Sequence, residues 1–195
     1  MTTTPAGAAT SLALPPLHFV SSPNFSSRGG RKIDLVVIHD CEGGYAGAIS
    51  WFSQKASDVS AHIVLREDGL EAVQMVDFAN KAWHACAFNS RSIGVEMAGL
   101  SSKGFAAGEW QAEANIVAYL LHKFGIPCQW AKGGIGPGFC SHFDLGKDGG
   151  GHCDPTTDSA LWTHFVGQVS SAYRLAPPAD WPAQRFMPTP TVRKD

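Results

Sequence analysis

Charge is scarce in this chain: Asp, Glu, Lys and Arg make up 16% of its 195 residues, and the formal net charge is −2. Without an excess of Lys and Arg there is no basic field of the kind that neutralising a phosphate backbone requires, which excludes nucleic acid as a partner class. Long apolar runs are missing as well. The opening stretch from Met1 to Leu17 has no Lys or Arg, and Pro15 and Pro16 break its apolar part, so it reads neither as a secretory leader nor as a membrane span. On that reading the chain is made in the cytoplasm as a soluble protein. The five cysteines, Cys41, Cys86, Cys128, Cys140 and Cys153, are odd in number and include no Cys-x-x-Cys pair. Such a set suits reduced thiols rather than a disulfide framework.

Hydrophobic residues make up 44% of the chain, enough for one domain around a single core. Residues 1–16 are rich in Thr, Ala and Pro, and 176–195 are rich in Pro; both read as extended arms flanking a folded body at 17–175. Within that body, Ile33 to Ile38 is a β-rich apolar run of the kind found in strands covered on both faces, with His39 at its end. Ala46 to Lys55 reads as a short helix, and Ala61 to Arg66 and Leu70 to Val76 as strands joined by the turn Glu67-Asp68-Gly69. Ser92 to Met97 alternates, setting Ile93, Val95 and Met97 on one face and Gly94 and Glu96 on the other. From Glu109 to Phe124, the residues Trp110, Ala114, Val117, Leu121 and Phe124 form one helical stripe that Gly125 and Pro127 terminate. A last helix spans about Asp158 to Tyr173, with Thr157 as the candidate cap. Strands and helices in this order imply an α/β sheet with helices on its faces. Trp51, Trp110 and Trp162 fall on helical stretches and read as core.

A catalytic zinc needs about three His, Asp, Glu or Cys ligands with a position left for water. His39, at a strand end, is one candidate. His142 and Asp154 are others, because they flank the glycine-rich loop Gly146 to Gly151, which can bring its two ends together. Spacing alone does not separate such a set from ordinary hydrogen-bonded histidines.

Seven blocks decide the matter: Ser22-Pro23-Asn24-Phe25, Val37-Ile38-His39, Val59-Ser60-Ala61-His62, Ala82-Trp83-His84-Ala85, Ser92-Ile93-Gly94-Val95-Glu96, Ser141-His142-Phe143-Asp144 and His152-Cys153-Asp154-Pro155. In kind and order they resemble the zinc-dependent N-acetylmuramoyl-L-alanine amidase family of amidase-type phage lysozymes, muropeptide-recycling amidases and peptidoglycan recognition proteins. The resemblance implies a single α/β domain with a central mixed sheet flanked by helices and one zinc per chain in a surface cleft. It implies peptidoglycan or muropeptides as partners and hydrolysis of the amide joining N-acetylmuramic acid to L-alanine.

By the same resemblance, His39, His142 and Asp154 are the metal ligands and Glu96 is the carboxylate that moves the proton. His152 stands where many bacterial members carry an oxyanion-steadying Lys, and Trp83 and His84 face substrate. His62 and Asp144 have structural readings that compete with functional ones, the first as a buried hydrogen-bonded strand residue and the second as a cap or a partner of His142. Two rivals stand beside the zinc hydrolase. A non-catalytic wall-binding module of the same fold is at odds with the three filled ligand positions. A thiol hydrolase would use Cys41 or Cys86 with a histidine base. A phage or prophage endolysin and a cytoplasmic recycling amidase are the two biological settings, the first acting on the cell wall.

Overall fold

The computed structural model describes residues 11–181. In chain order its elements are β1 (Leu17–Phe19), β2 (Phe25–Ser27), β3 (Leu35–Asp40), α1 (Tyr45–Phe52), β4 (Ile63–Leu65), β5 (Ala72–Gln74), β6 (Asn80–Ala82), β7 (Ser92–Met97), α2 (Ala107–Phe124), β8 (Gly138–Ser141), α3 (Gly146–Gly149) and α4 (Ser159–Tyr173). Six strands form a mixed sheet in the order β1-β5-β4-β7-β3-β8. The expected hairpin is its antiparallel β4–β5 pair, whereas β4, β7, β3 and β8 run parallel. A separate antiparallel pair, β2 with β6, lies beside them.

Alternation along the parallel strands decides what each face of the sheet carries. Val36 and Ile38 of β3, Ile93, Val95 and Met97 of β7 and Phe139 of β8 enter a core with the buried faces of α2 and α4. The expected α2 stripe is there, from Trp110 through Leu121, and Gly125 ends the helix in the left-handed region at φ 61°. Trp110 and Trp162 join this core as expected, their indoles edge to face at 5.6 Å. On the opposite face, Val64 and Val73 meet Ala48, Ile49 and Phe52 of α1. Leu35, Val37 and Cys140 form a third apolar cluster with Ala85, Ala131 and Leu145.

Three sequence expectations shift. The first long strand begins at Leu35 and runs on to Asp40, so His39 lies inside it, held by the ladder with β7. The cap of α4 is Asp158 rather than Thr157, because its carboxylate accepts from the backbone N–H groups of Ala160 and Leu161. The boundaries drawn at 16 and 176 cut through packed chain. Leu12 and Trp181 are both buried, Leu12 N–H donates to the carbonyl of Ala176, and Trp181 Nε1 donates to the carbonyl of Pro15. Prolines removed the periodicity that signals packing, but they left carbonyls free to accept and two large apolar side chains to bury. Residues 1–10 and 182–195 of the two arms lie outside the described residues.

One buried group on α2 sets a pH dependence. Glu113 is fully buried, both of its carboxyl oxygens lack a hydrogen-bond partner, and burial raises its pKa to about 8. A carboxyl whose pKa rises on folding favours the folded chain in acid. That contribution is full below the unfolded value near 4.5 and drains away as pH climbs through about 8. Glu113→Gln, which keeps the shape and removes the titration, should therefore raise the melting temperature at pH 8.5 by several degrees and change it little at pH 4.5. Thermal unfolding of both proteins across that range checks the sign; a wild-type advantage at pH 8.5 would refute it.

Candidate metal centre

The register of the parallel strands gathers the candidate residues. His39 is paired with Glu96 across β3 and β7, and His142, one residue past β8, donates its N–H to the carbonyl of Ile38. These three side chains therefore stand in a row on the face opposite α2 and α4, at the carboxyl ends of the parallel strands. Asp154 arrives from the chain that follows α3, and its carboxylate accepts from the N–H of Asp40 at 3.3 Å.

The geometry brings three donors to one point. His39 Nδ1 lies 3.0 Å from His142 Nδ1, Asp154 Oδ1 lies 2.9 Å from His142 Nδ1, and Asp154 Oδ2 lies 3.5 Å from His39 Nδ1. His142 Nε2 donates to the carbonyl of Gly149 at 2.8 Å, so in the neutral ring Nδ1 carries a lone pair. Asp154 Oδ1 is buried with no hydrogen-bond partner. A tetrahedral zinc with bonds of about 2.0–2.2 Å holds its donors about 3.3 Å apart, so this set fits that ion. Cys153, the neighbour of Asp154 and also of a ligand-forming type, is exposed and does not join the cluster.

Electrostatics agree with a cation site. Burial lowers the pKa of His39 to about 4, leaving it neutral at pH 7. Burial opposes an imidazolium at His142 too, but hydrogen bonding and charge from Asp154 outweigh it and its pKa rises. Burial likewise works against the ionised Asp154, yet the two histidines packed against it hold its carboxyl well below the usual range. A metal held here would compete with a proton for this nitrogen of His142, so its uptake would be coupled to proton release. Glu96 is 7% exposed with Oε2 unpartnered; burial first, then the charges of Asp154 and Asp40, push its pKa well up. A divalent cation beside it acts in the opposite direction.

Around the centre is a cavity of about 400 Å³, lined by the three donors and by Glu96, Trp83, His84, His152 and Cys153. His152 is stacked on the His142 ring at 4.7 Å. His84 does line the wall, and its ring nitrogens are engaged by His39 and Ser92, which places it behind a candidate ligand rather than as a free donor toward substrate. Trp83 lines the wall with its indole N–H donated to Ser26 Oγ. His62 is structural: Nδ1 accepts from Gly94 N–H, and Nε2 meets the buried guanidinium of Arg28 at 2.7 Å. Asp144 accepts from Trp130 Nε1 and is no partner of His142.

Two features escaped the sequence. Trp51 is 53% exposed and forms part of the cavity wall rather than the core, because α1 buries Ala48, Ile49 and Phe52 and turns Trp51 outward. The block around Asn24 is a brace for that wall. Asn24 Nδ2 lies within 3.0 Å of the carbonyls of Gln54 and Val59 and of Ser57 Oγ, sharing its two N–H donors among them, while Ser22 and Ser60 tie Phe52 and Trp83 to the same turn.

Comparison with known proteins gives matches in sequence and in fold. The sequence profile described as N-acetylmuramoyl-L-alanine amidase matches residues 29–159. N-acetylmuramoyl-L-alanine amidase A of Achromobacter lyticus is 35% identical over 124 residues, which span 61% of this chain and 67% of that protein. The 1,6-anhydro-N-acetylmuramyl-L-alanine amidase AmpD of Escherichia coli K12 is 30% identical over 51% of this chain, and the match spans about half of its length (49%). Among solved structures, the Staphylococcus aureus hydrolase AmiA, in complex with its ligand, superposes with a TM-score of 0.67 at 20% identity, covering 83% of this chain and 85% of that one.

Proposed function

Since the chain belongs to the N-acetylmuramoyl-L-alanine amidase family, we propose that it is a zinc-dependent hydrolase of the amide between N-acetylmuramic acid and L-alanine in peptidoglycan. The observation that carries this reading is the convergence of His39 Nδ1, His142 Nδ1 and Asp154 at one point, with Glu96 as the next residue in the row. Zinc, when bound there, polarises the scissile carbonyl and makes water more acidic.

The Glu96 carboxylate, which lines the cavity, takes a proton from the attacking water as the water oxygen bonds to the carbonyl carbon. The same carboxyl returns that proton to the amide nitrogen as the C–N bond breaks, so the products are a free lactyl carboxylate on the sugar and a free alanine amine. His152, kept over the centre by its stack on His142, donates a ring N–H toward the developing oxyanion. His39 and His142 hold their rings fixed through the bonds on their far nitrogens.

We extend the reading to polymeric wall as the substrate, in the manner of an endolysin. A second cavity of about 430 Å³ shares Val59, Trp83, His84 and His152 with the first, so the cleft continues past the site as a chain-like substrate needs. The alternative is a recycling amidase acting on soluble muropeptides, in keeping with the name of the E. coli relative. Purified protein incubated with sacculi is expected to release new alanine amino groups, to stop under chelator and to recover with zinc. Amino groups released only from soluble muropeptides would establish the recycling role, and none from either substrate would sink the amidase reading.

A further inference from the structure

We infer that Ser92 and His84 are positioning residues that fix the tautomer of His39, so that a proton arrangement set outside the cavity wall determines whether His39 offers its lone pair to the metal. This inference rests on the metal reading above and adds two residues to it.

The argument is an inventory of protons. Ser92 Oγ lies 2.8 Å from the carbonyl of Phe88 and 3.1 Å from His84 Nε2. A carbonyl oxygen can only accept, so the single hydroxyl proton of Ser92 goes to Phe88, and Oγ must accept from His84 Nε2–H. The neutral His84 ring then has a lone pair on Nδ1. That lone pair lies 2.9 Å from His39 Nε2, which must be the donor. His39 is left with its lone pair on Nδ1, the nitrogen that faces His142 and Asp154. Every proton in the chain from Phe88 to His39 is thus assigned by one acceptor that has no alternative.

The surroundings of His84 are built to keep this order. A Cβ added at Gly94 would fall 2.6 Å from Cγ and Nδ1 of the His84 ring, so glycine is what leaves room for the ring against β7. Asn89 Oδ1 accepts from the backbone N–H of both His84 and Ala85, fixing the main chain that carries the ring. Ser92 is fully buried, which keeps water from replacing its hydroxyl. Alternation along β7 places Ser92, Gly94 and Glu96 on one face, so one strand supplies the anchor of the relay, the seat for its middle ring and the catalytic carboxylate.

The test reads nitrogen protonation and zinc affinity separately. In metal-free protein at pH 7.5, long-range ¹H–¹⁵N spectra of labelled histidine should show His39 protonated on Nε2 alone. In Ser92→Ala the same spectra should show a mixture of the two neutral tautomers. Zinc affinity from chelator competition should fall about 10–100-fold in His84→Phe and in the same direction by less in Ser92→Ala, as losses of such outer partners do elsewhere. Ser92→Thr, which keeps the hydroxyl, should retain the wild-type tautomer. An Nδ1-protonated His39 in the wild type, or an unchanged spectrum in Ser92→Ala, overturns the inference. Wild-type protein that binds no zinc but shows the expected tautomer overturns the metal reading instead.

Discussion

Replacing His39, His142 or Asp154 with alanine is expected to take the protein from about one zinc per chain to none and to abolish hydrolysis, because three side chains and a water leave no redundancy in such a site. The three donors sit within 3.5 Å of one another in pairs, and each is held by a partner that points it inward. Removing one ring or carboxylate leaves two donors, and at Asp154 it also leaves two close imidazoles without their counter-charge. Cys153→Ser should keep both metal and activity, since the thiol lies outside the cluster. Metal analysis of the purified variants checks all four. Full zinc in any alanine variant, or loss of zinc in Cys153→Ser, would show that the donor set is wrong. Cobalt substitution adds a spectrum in which a thiolate ligand would introduce a strong near-ultraviolet band.

Glu96→Gln should keep the zinc and the fold and lose about 10²–10⁴-fold in kcat, the usual contribution of a positioned general base. Gln fills the same space in the buried row of β7, so a drop in melting temperature is not expected to accompany the loss. The large factor follows from the geometry: Glu96 is the cavity carboxylate paired in register with His39, and its Oε2 is unpartnered. Steady-state rates on peptidoglycan, measured with zinc content on the same samples, separate lost chemistry from lost metal. Near-wild-type turnover in Glu96→Gln would end the proposed role.

His39 and Glu96 could be placed from the sequence because they sit on strands with a fixed period, whereas His142, His152 and Asp154 lie on irregular chain and were assigned by the resemblance. The alternation of Ser92 to Met97 puts Glu96 opposite Ile93, Val95 and Met97, and the β3–β7 ladder then sets it beside His39. The α2 stripe and its glycine stop were legible for the same reason, as a period of 3.6 residues ended by a φ only glycine adopts readily. The contacts of His84 with His39 and Ser92 were not legible, because nothing local records that Gly94, ten positions on, makes space for its ring. Trp51 was misread because a helix of eight residues, Tyr45–Phe52, offers too few turns to show which side is covered. Leu12 and Trp181 were assigned to loose arms because proline suppresses periodicity whether or not the segment packs. In each case the missing information is a contact between residues distant in the chain or a burial too short to repeat.

The donors lie at positions 39, 142 and 154, and the first two touch across a sequence separation of 103. During synthesis, therefore, a nascent chain that has not yet passed residue 154 cannot complete the site, however well its first strands have formed. Pairing of β3 with β8, and the docking of Asp154 on Asp40 across a separation of 114, close long loops and belong among the later folding events, since distant contacts repay their closure entropy last. On the proposed donor set, topology alone would keep the hydrolase inactive while it is being made, and the capacity to cut would arrive only as the final third of the sequence docks.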